Sequence, residues 1–344
     1  MKPNDSVVKV GVAGGGYWGP KLLRNLNDAP NTELAWFADL DQSRLDSVSQ
    51  SYPSVKVTRD YNDLLKSDID AIVIATPVST HFKIAQDSLF AGKHVFVEKP
   101  LADSTENATT LTDLAEKSDL RLMVGHVFEY NPAVELLRNL IQTGELGDIL
   151  YIDAVRATLG LFQRDINVIW DLAPHDFSIL RYILGADPIS VSAVGESYIR
   201  DGIEDVAYIS AVYPEKILAH IRVSWLEPRK QRHMTVVGSK KMVLYDDAEP
   251  VEKIKVFDVG VEFEDGDPSG AGQLRYRYGD ISSPRIDSIE PLQAEIRHFI
   301  ESIRNGTEPR SGKADGLEVV RCLESSNLSL KNGGSTVQIN RDRS

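Results

Sequence analysis

Short apolar runs alternate with helical patterns through the first third of the chain. Runs over 7–13, 33–39, 55–58, 71–75, 94–98 and 121–125 have the length and β-branched content of buried strands, Ala71-Ile72-Val73-Ile74-Ala75 being the plainest. Between them the spacing predicts helices over 18–27, 43–51, 61–66, 80–91 and 104–117, with Gly92 placed to stop the fourth. Buried strands alternating with helices predict a doubly wound parallel sheet. After about residue 125 the rhythm changes. A helix over 132–143, a strand over 149–157 and a helix over 175–184, ended by Gly185, are expected. Strand-like runs follow at 189–194, 207–213, 217–225, 233–237 and 242–245 with few helices between them. That pattern is a mostly antiparallel, meander-like sheet with helices on one face. The polar, Gly-rich stretch 261–283 reads as a long loop, and helices over 291–304 and 316–330 follow it. Two domains are expected: α/β over 1–125, and α+β with an open-faced sheet over 126–344.

Composition narrows the partners. A hydrophobic content of 42% and a charged content of 26% are those of a globular protein, and 344 residues suffice for two cores. The formal charge of −13 argues against a nucleic-acid surface. The one basic concentration, Arg229, Lys230, Arg232 and His233, reads as a solvated hairpin end, with an anion site as the other reading. No apolar run is long enough to span a bilayer, and the first strand begins without an apolar leader, so a cytoplasmic location is expected. The single cysteine, Cys322, excludes an internal disulfide and sits at a helix-core spacing. The seven histidines show no ligand spacing, so no metal is expected, and no P-loop or nucleophile-elbow serine is present.

The most informative segment is the first turn. Lys9-Val10-Gly11-Val12-Ala13 leads into Gly14-Gly15-Gly16-Tyr17-Trp18-Gly19, then a helix, then a strand ending on Asp39. This is the order of a dinucleotide-binding βαβ unit, a Rossmann domain. Gly14 permits the tight turn, Gly16 lets backbone approach a pyrophosphate, and Gly19 lets helix and strand pack closely. The helix N-terminus offers free N–H groups to the anion. Asp39 suits a ribose 2′-hydroxyl and repels a 2′-phosphate, which favours NAD over NADP, with Arg44 the one nearby group that softens the preference.

Further elements carry a resemblance: Ala75-Thr76-Pro77 with His81 after it, Glu98-Lys99-Pro100 after a strand, Asn131-Pro132, and Asp171 with His175. With the Gly loop, they make the chain similar to the glucose-fructose oxidoreductase, inositol dehydrogenase and MocA family. The resemblance implies a Rossmann domain, an open-faced sheet domain, a nicotinamide cofactor, and oxidation or reduction of a sugar or cyclitol hydroxyl. It puts catalysis on Lys99 and His175, with Asp171 in the substrate pocket. It lines the cofactor with Gly14, Gly15, Gly16, Tyr17, Trp18, Gly19, Asp39, Thr76, Pro77, His81, Glu98 and Lys99. The residues themselves agree in part. Lys99 stands at the carboxyl edge of the parallel sheet, where ligands bind, and Pro100 restricts its backbone. His175 follows Pro174, which suits a first helical turn, and a helix N-terminus keeps the ring neutral. Asp171 shares a face with His175 if the helix already runs there; if Pro174 starts the helix, Asp171 lies in the entering loop.

The chain departs from the family's usual pattern at Asn167-Val168-Ile169-Trp170, where a Gly-rich lead is common, and at Glu129-Tyr130 before Asn131-Pro132, where a basic residue is common. The run 170–176, with Ser224-Trp225-Leu226-Glu227-Pro228 and Tyr278-Gly279-Asp280, is similar to members of nucleotide-sugar and polysaccharide biosynthesis. Those oxidise the 3-hydroxyl of a UDP-N-acetylhexosamine or reduce the matching ketone. Arg156, Arg164 and Asn167 are candidates to grip a sugar or diphosphate, with a structural ion pair the alternative for the arginines. The rival readings are a free-sugar or inositol dehydrogenase and a non-catalytic cofactor-sensing regulator. The uncovered sheet face predicts a homodimer or homotetramer.

Overall fold

The structure, a computed structural model, describes residues 6–264 and 273–340. The first elements in chain order are β1 (Val8–Ala13), α1 (Gly19–Asp28), β2 (Thr32–Ala38), α2 (Gln42–Ser51), β3 (Lys56–Thr58), α3 (Asn62–Lys66), β4 (Ala71–Ile74), α4 (Val78–Phe90), β5 (His94–Glu98), α5 (Thr105–Lys117) and β6 (Leu122–Gly125). Next come α6 (Pro132–Gln142), β7 (Ile149–Ala157), α7 (Val168–Leu184), β8 (Ser190–Glu196), β9 (Val206–Val212), β10 (Leu218–Ser224), β11 (Gln231–Gly238) and β12 (Met242–Asp246). The chain continues with β13 (Ile254–Glu264), β14 (Gln273–Ser282), α8 (Pro291–Asn305), α9 (Lys313–Lys331) and β15 (Val337–Gln338). It groups into two compact units, Met1–Tyr130 with Ile289–Arg321 and Asn131–Ser288 with Cys322–Ser344.

The first unit is a six-stranded parallel sheet in the order β3-β2-β1-β4-β5-β6. Strand order reverses between β1 and β4, so the crevice for a nucleotide opens at the carboxyl ends of those strands. Val10, Val12, Ala71, Ile72, Val73 and Phe96 are fully buried, as expected of strands covered on both faces. Leu292, Ile296, Phe299 and Ile300 of α8 share the core of Val8, Val10 and Phe96, and the Phe96 and Phe299 rings meet edge to face at 5.7 Å. Residues 289–321 thus complete the first unit, whereas the sequence reading ran the second domain unbroken from 126. The spacing of those apolar residues shows that α8 buries one face; it carries nothing about which sheet that face meets.

The second unit is a nine-stranded sheet in the order β14-β13-β12-β11-β7-β10-β9-β8-β15. Every neighbouring pair is antiparallel except β10 with β7. α7 packs on β7, β9 and β10, and α6 on α7 and β12. Strands β9 and β10 show the two faces plainly. Ala207, Ile209, Ala211, Ala219, Ile221 and Val223 are buried, while Tyr208, Val212 and Leu218 on the opposite face are exposed.

Two expectations are corrected here. Within the stretch read as a loop, β13 and β14 pair as a hairpin, with residues 265–272 outside the described set. Leu274, Tyr276 and Tyr278 alternate with Arg275 and Arg277 in a strand pattern, and Arg277 meets Glu262 at 3.1 Å across the pair. Helix α7 begins at Val168, seven residues before the expected start at His175, so Pro174 lies inside it. The Asn167 side chain caps it by accepting from the Trp170 N–H at 3.3 Å.

Candidate active site

At the end of β1 the chain turns through Gly14 at φ +99°, a conformation that favours glycine. A Cβ there would stand 2.6 Å from the Ala75 carbonyl, and one on Gly19 would stand 2.8 Å from the Gly14 oxygen. The turn is therefore pressed against the end of β4 and the start of α1. A Cβ on Gly16 would meet no atom nearer than 4.0 Å, so the loop is open on that side. No side chain caps α1, which leaves its first N–H groups for a ligand. Asp39, just past β2, accepts from the Gly15 N–H at 2.5 Å and the Asp41 N–H at 2.8 Å, and pairs with Arg44 at 3.2 Å. Its carboxylate is thereby fixed beside the Gly loop. Lys21, which no sequence motif marks, joins the loop. Its ammonium lies 4.1 Å from the centre of the Tyr17 ring and 4.4 Å from that of Trp18. The helical spacing of Trp18 and Lys21 was the available signal.

The ends of β4 and β5 hold the next group. Thr76 follows β4, with its hydroxyl 2.7 Å from that of Thr80, and Pro77 caps α4. His81, only 1% exposed, is enclosed between two backbone carbonyls. Its expected place in the cofactor lining is not where the ring stands. Glu98 ends β5 and is buried; burial pushes its carboxyl up to about 7, against the opposing pull of Lys99 and Lys21. Lys99 follows, half-buried, joined to Pro100 by a cis peptide bond.

In the second unit the site is built on α7. Asp171 and His175, four residues apart in a continuous helix, share one face. The argument that a helix N-terminus keeps His175 neutral does not hold, because the ring stands in the helix body. Asp171 accepts from the Trp225 indole N–H at 2.9 Å, and Trp225 is buried with Phe162 packed edge-on at 5.5 Å. Asp176 takes both arms of the Arg156 guanidinium, at 2.9 and 3.0 Å, in a buried bidentate pair. Arg156 is thus committed to α7, the ion-pair alternative, and is not free to bind a diphosphate. Asn167 is likewise structural, its amide donating to Glu204 at 2.8 Å and Asn327 at 2.9 Å. Arg164 is exposed. Arg229 and Lys230 are exposed in the turn before β11, and Arg232 lies 3.8 Å from Asp247. Among the described residues no cluster of His, Cys, Asp and Glu has the makings of a metal site, and no helix is long and apolar enough to cross a membrane.

Two family models match the chain. Residues 8–126 match the oxidoreductase family with an NAD-binding Rossmann fold, and residues 134–244 match the GFO/IDH/MocA C-terminal domain. The chain belongs to the GFO/IDH/MocA family. Within it, the chain is 34% identical over 200 residues to the UDP-N-acetylglucosamine 3-dehydrogenase of Acidithiobacillus ferrooxidans, covering 56% of this chain and 60% of that one. It is 29% identical over 329 residues to the scyllo-inositol 2-dehydrogenase (NAD(+)) of Bacillus subtilis, covering 88% of each. A solved structure of the Acidithiobacillus ferrooxidans enzyme superposes with a TM-score of 0.78 at 25% identity, over 94% of this chain and 97% of that one.

The protein is an NAD-dependent oxidoreductase of the GFO/IDH/MocA family. Its first unit fits the cofactor on its own geometry: a Gly14 turn that excludes a side chain, an open Gly16, an uncapped α1 and a fixed Asp39. Gly14–Gly16 and the start of α1 would hold the pyrophosphate, and Asp39 the adenosine ribose. When bound, NAD supplies the hydride acceptor.

Proposed function

We propose that this oxidoreductase oxidises a secondary hydroxyl, at C3, of a nucleotide-linked sugar such as a UDP-N-acetylhexosamine, or reduces the matching keto sugar. The observation that supports the reading is the 34% identity over 200 residues to a UDP-N-acetylglucosamine 3-dehydrogenase, beside 29% over 329 residues to the inositol enzyme. In the oxidative direction Lys99 donates a hydrogen bond to the substrate oxygen. His175 accepts the hydroxyl proton, and the carbon-bound hydrogen leaves as hydride. Asp171, held by Trp225, orients the sugar. Lys99 and His175 share this work, and the pair runs either direction by exchanging the proton. Exposed Arg164 is the remaining candidate from 156–167 for the diphosphate.

Full-length matches to inositol dehydrogenases support a second reading, oxidation of a free sugar or cyclitol. NADH absorbance with a panel of UDP-sugars, free hexoses and myo-inositol separates the two. Turnover of UDP-N-acetylglucosamine with no turnover of inositol is expected. Calorimetric absence of UDP binding to the NAD-loaded protein, with efficient inositol turnover, gives the second reading its place. Absence of turnover with every substrate class, alongside tight NAD binding, gives the cofactor-sensing regulator.

The open face of the second sheet is the surface proposed for assembly into a homodimer or homotetramer in the cytoplasm. Tyr151, Tyr208, Val212 and Leu218 supply its apolar patch. Sedimentation of the wild type against Leu218→Glu tests it, the variant being expected to release smaller species.

A further inference from the structure

His81 stands on the first turn of α4 with its ring out of solvent. Its Nε2 lies 2.9 Å from the Thr76 carbonyl oxygen and its Nδ1 lies 2.9 Å from the Pro100 carbonyl oxygen. Both partners only accept. A neutral ring offers one N–H, and a protonated ring offers two. The two carbonyls belong to the loops that leave neighbouring parallel strands β4 and β5, at the carboxyl edge of the sheet. One ring therefore spans two strand-end loops, and the second of those loops carries Lys99. The groups whose charge reaches the ring are Lys99 and Asp103; burial, with Lys99 acting in the same direction, lowers the pKa against the two carbonyls and Asp103. The ring has no solvent-facing edge and so is not a cofactor contact.

We propose that His81 is a positioning residue: its ring sits between the Pro100 and Thr76 carbonyls, donating its N–H to one of them, and thereby fixes the backbone from which Lys99 projects. Any effect on turnover rests on the catalytic reading of Lys99 given above; the clamp itself does not. Displacement of a reacting group by about 1 Å costs about 10²-fold in rate, which sets the scale of the effect.

The test uses reductive ¹³C-methylation of the lysines in the full chain, with the Lys99 signal identified by its loss in Lys99→Arg. In His81→Ala the Lys99 methyl signal is expected to move while the other lysine signals keep their positions. Turnover is expected to fall about 10²-fold. Added imidazole should restore both the signal and the turnover. Added 1-methylimidazole, which fills similar space but has no N–H when neutral, should restore neither. His81→Leu fills similar space with no N–H, so it serves if the alanine variant does not fold, and its Lys99 signal is expected to move as well. An unmoved Lys99 signal in a folded His81 variant, or equal rescue by both azoles, overturns the clamp. A moved signal beside a fully active Lys99→Ala keeps the clamp and removes the catalytic role of Lys99 instead.

Discussion

In the first unit the candidate side chains stand in loops at strand ends and are held by main chain. Gly14 is fitted to the Ala75 carbonyl, Asp39 is tied to the Gly15 amide, and His81 lies between the Thr76 and Pro100 carbonyls. In the second unit they stand in the body of a helix and are held by other side chains. Asp171 is fixed by Trp225, and the turn that carries His175 is fixed by the Arg156–Asp176 pair. The loop site has short, contiguous sequence signatures because backbone geometry constrains neighbouring residues. The helix site draws partners from β7, from α7 and from the residue after β10, which lie far apart in sequence. It also depends on a buried ion pair, which ties its chemistry to the stability of the unit through paired charge, whereas the loop site's buried carboxyl, Glu98, has its pKa raised by burial.

Replacing the reactive groups gives the largest effects. Lys99→Ala and His175→Ala should each lower kcat by about 10²–10⁴-fold, with NAD affinity by calorimetry changing little because the Gly loop and Asp39 are intact. Wild-type turnover in both, with folding verified by circular dichroism, would sink the mechanism.

The next prediction separates the units by stability. Arg156→Ala leaves Asp176 buried without its partner and should cost about 3–5 kcal/mol, read from the urea midpoint. Replacing both with apolar residues of similar volume should return most of that loss. If the single variant unfolds like wild type, the turn carrying His175 does not depend on the pair.

In the first unit, the effect comes through pH. Glu98 has its folded pKa raised from 4.5 to about 7, so the folded protein keeps a proton that the unfolded chain releases between those values. Stability should therefore fall as pH rises from 4.5 to about 7, by on the order of 3 kcal/mol. Buried Glu295, raised by burial and by Glu98 and Glu129, adds a slope of the same sign. In Glu98→Gln, thermal unfolding of the NAD-free protein should lose most of that decline. An unchanged slope would show that Glu98 stays ionised.

The smallest effect concerns the start of α7. Asn167→Ala removes its cap and should cost about 1 kcal/mol, visible as a modest fall in Tm with KM for the sugar unchanged. A selective rise in KM would restore Asn167 to the substrate.

The strands 94–98 and 149–157 were legible to the residue, since runs of apolar and β-branched residues bounded by turn signals have one good solution. The start of α7 was not. Asn167 is an ordinary cap residue, but it was read as a ligand, and Pro174 offered a competing start. The pairing of β13 with β14 was hidden because the Asp- and Gly-rich sequence 265–272 dominates the composition beside an alternating Leu274–Tyr278 pattern. The Gly14 turn was legible for the opposite reason: a conformation that favours glycine is written in adjacent letters. The commitment of Arg156 was not, because Asp176 lies 20 residues away and either partner alone looks like a surface charge.

The placement of Ile289–Arg321 in the first unit bears on biosynthesis. Phe299 and Ile300, which cover the β1 and β5 side of the parallel sheet, leave the ribosome only after all the strands from β7 to β14. A nascent chain paused before residue 289 carries its earliest-made sheet without the part of its core that α8 supplies. The part of the protein translated first is among the last to be finished, and during that interval the growing chain carries exposed apolar surface of the kind that favours aggregation.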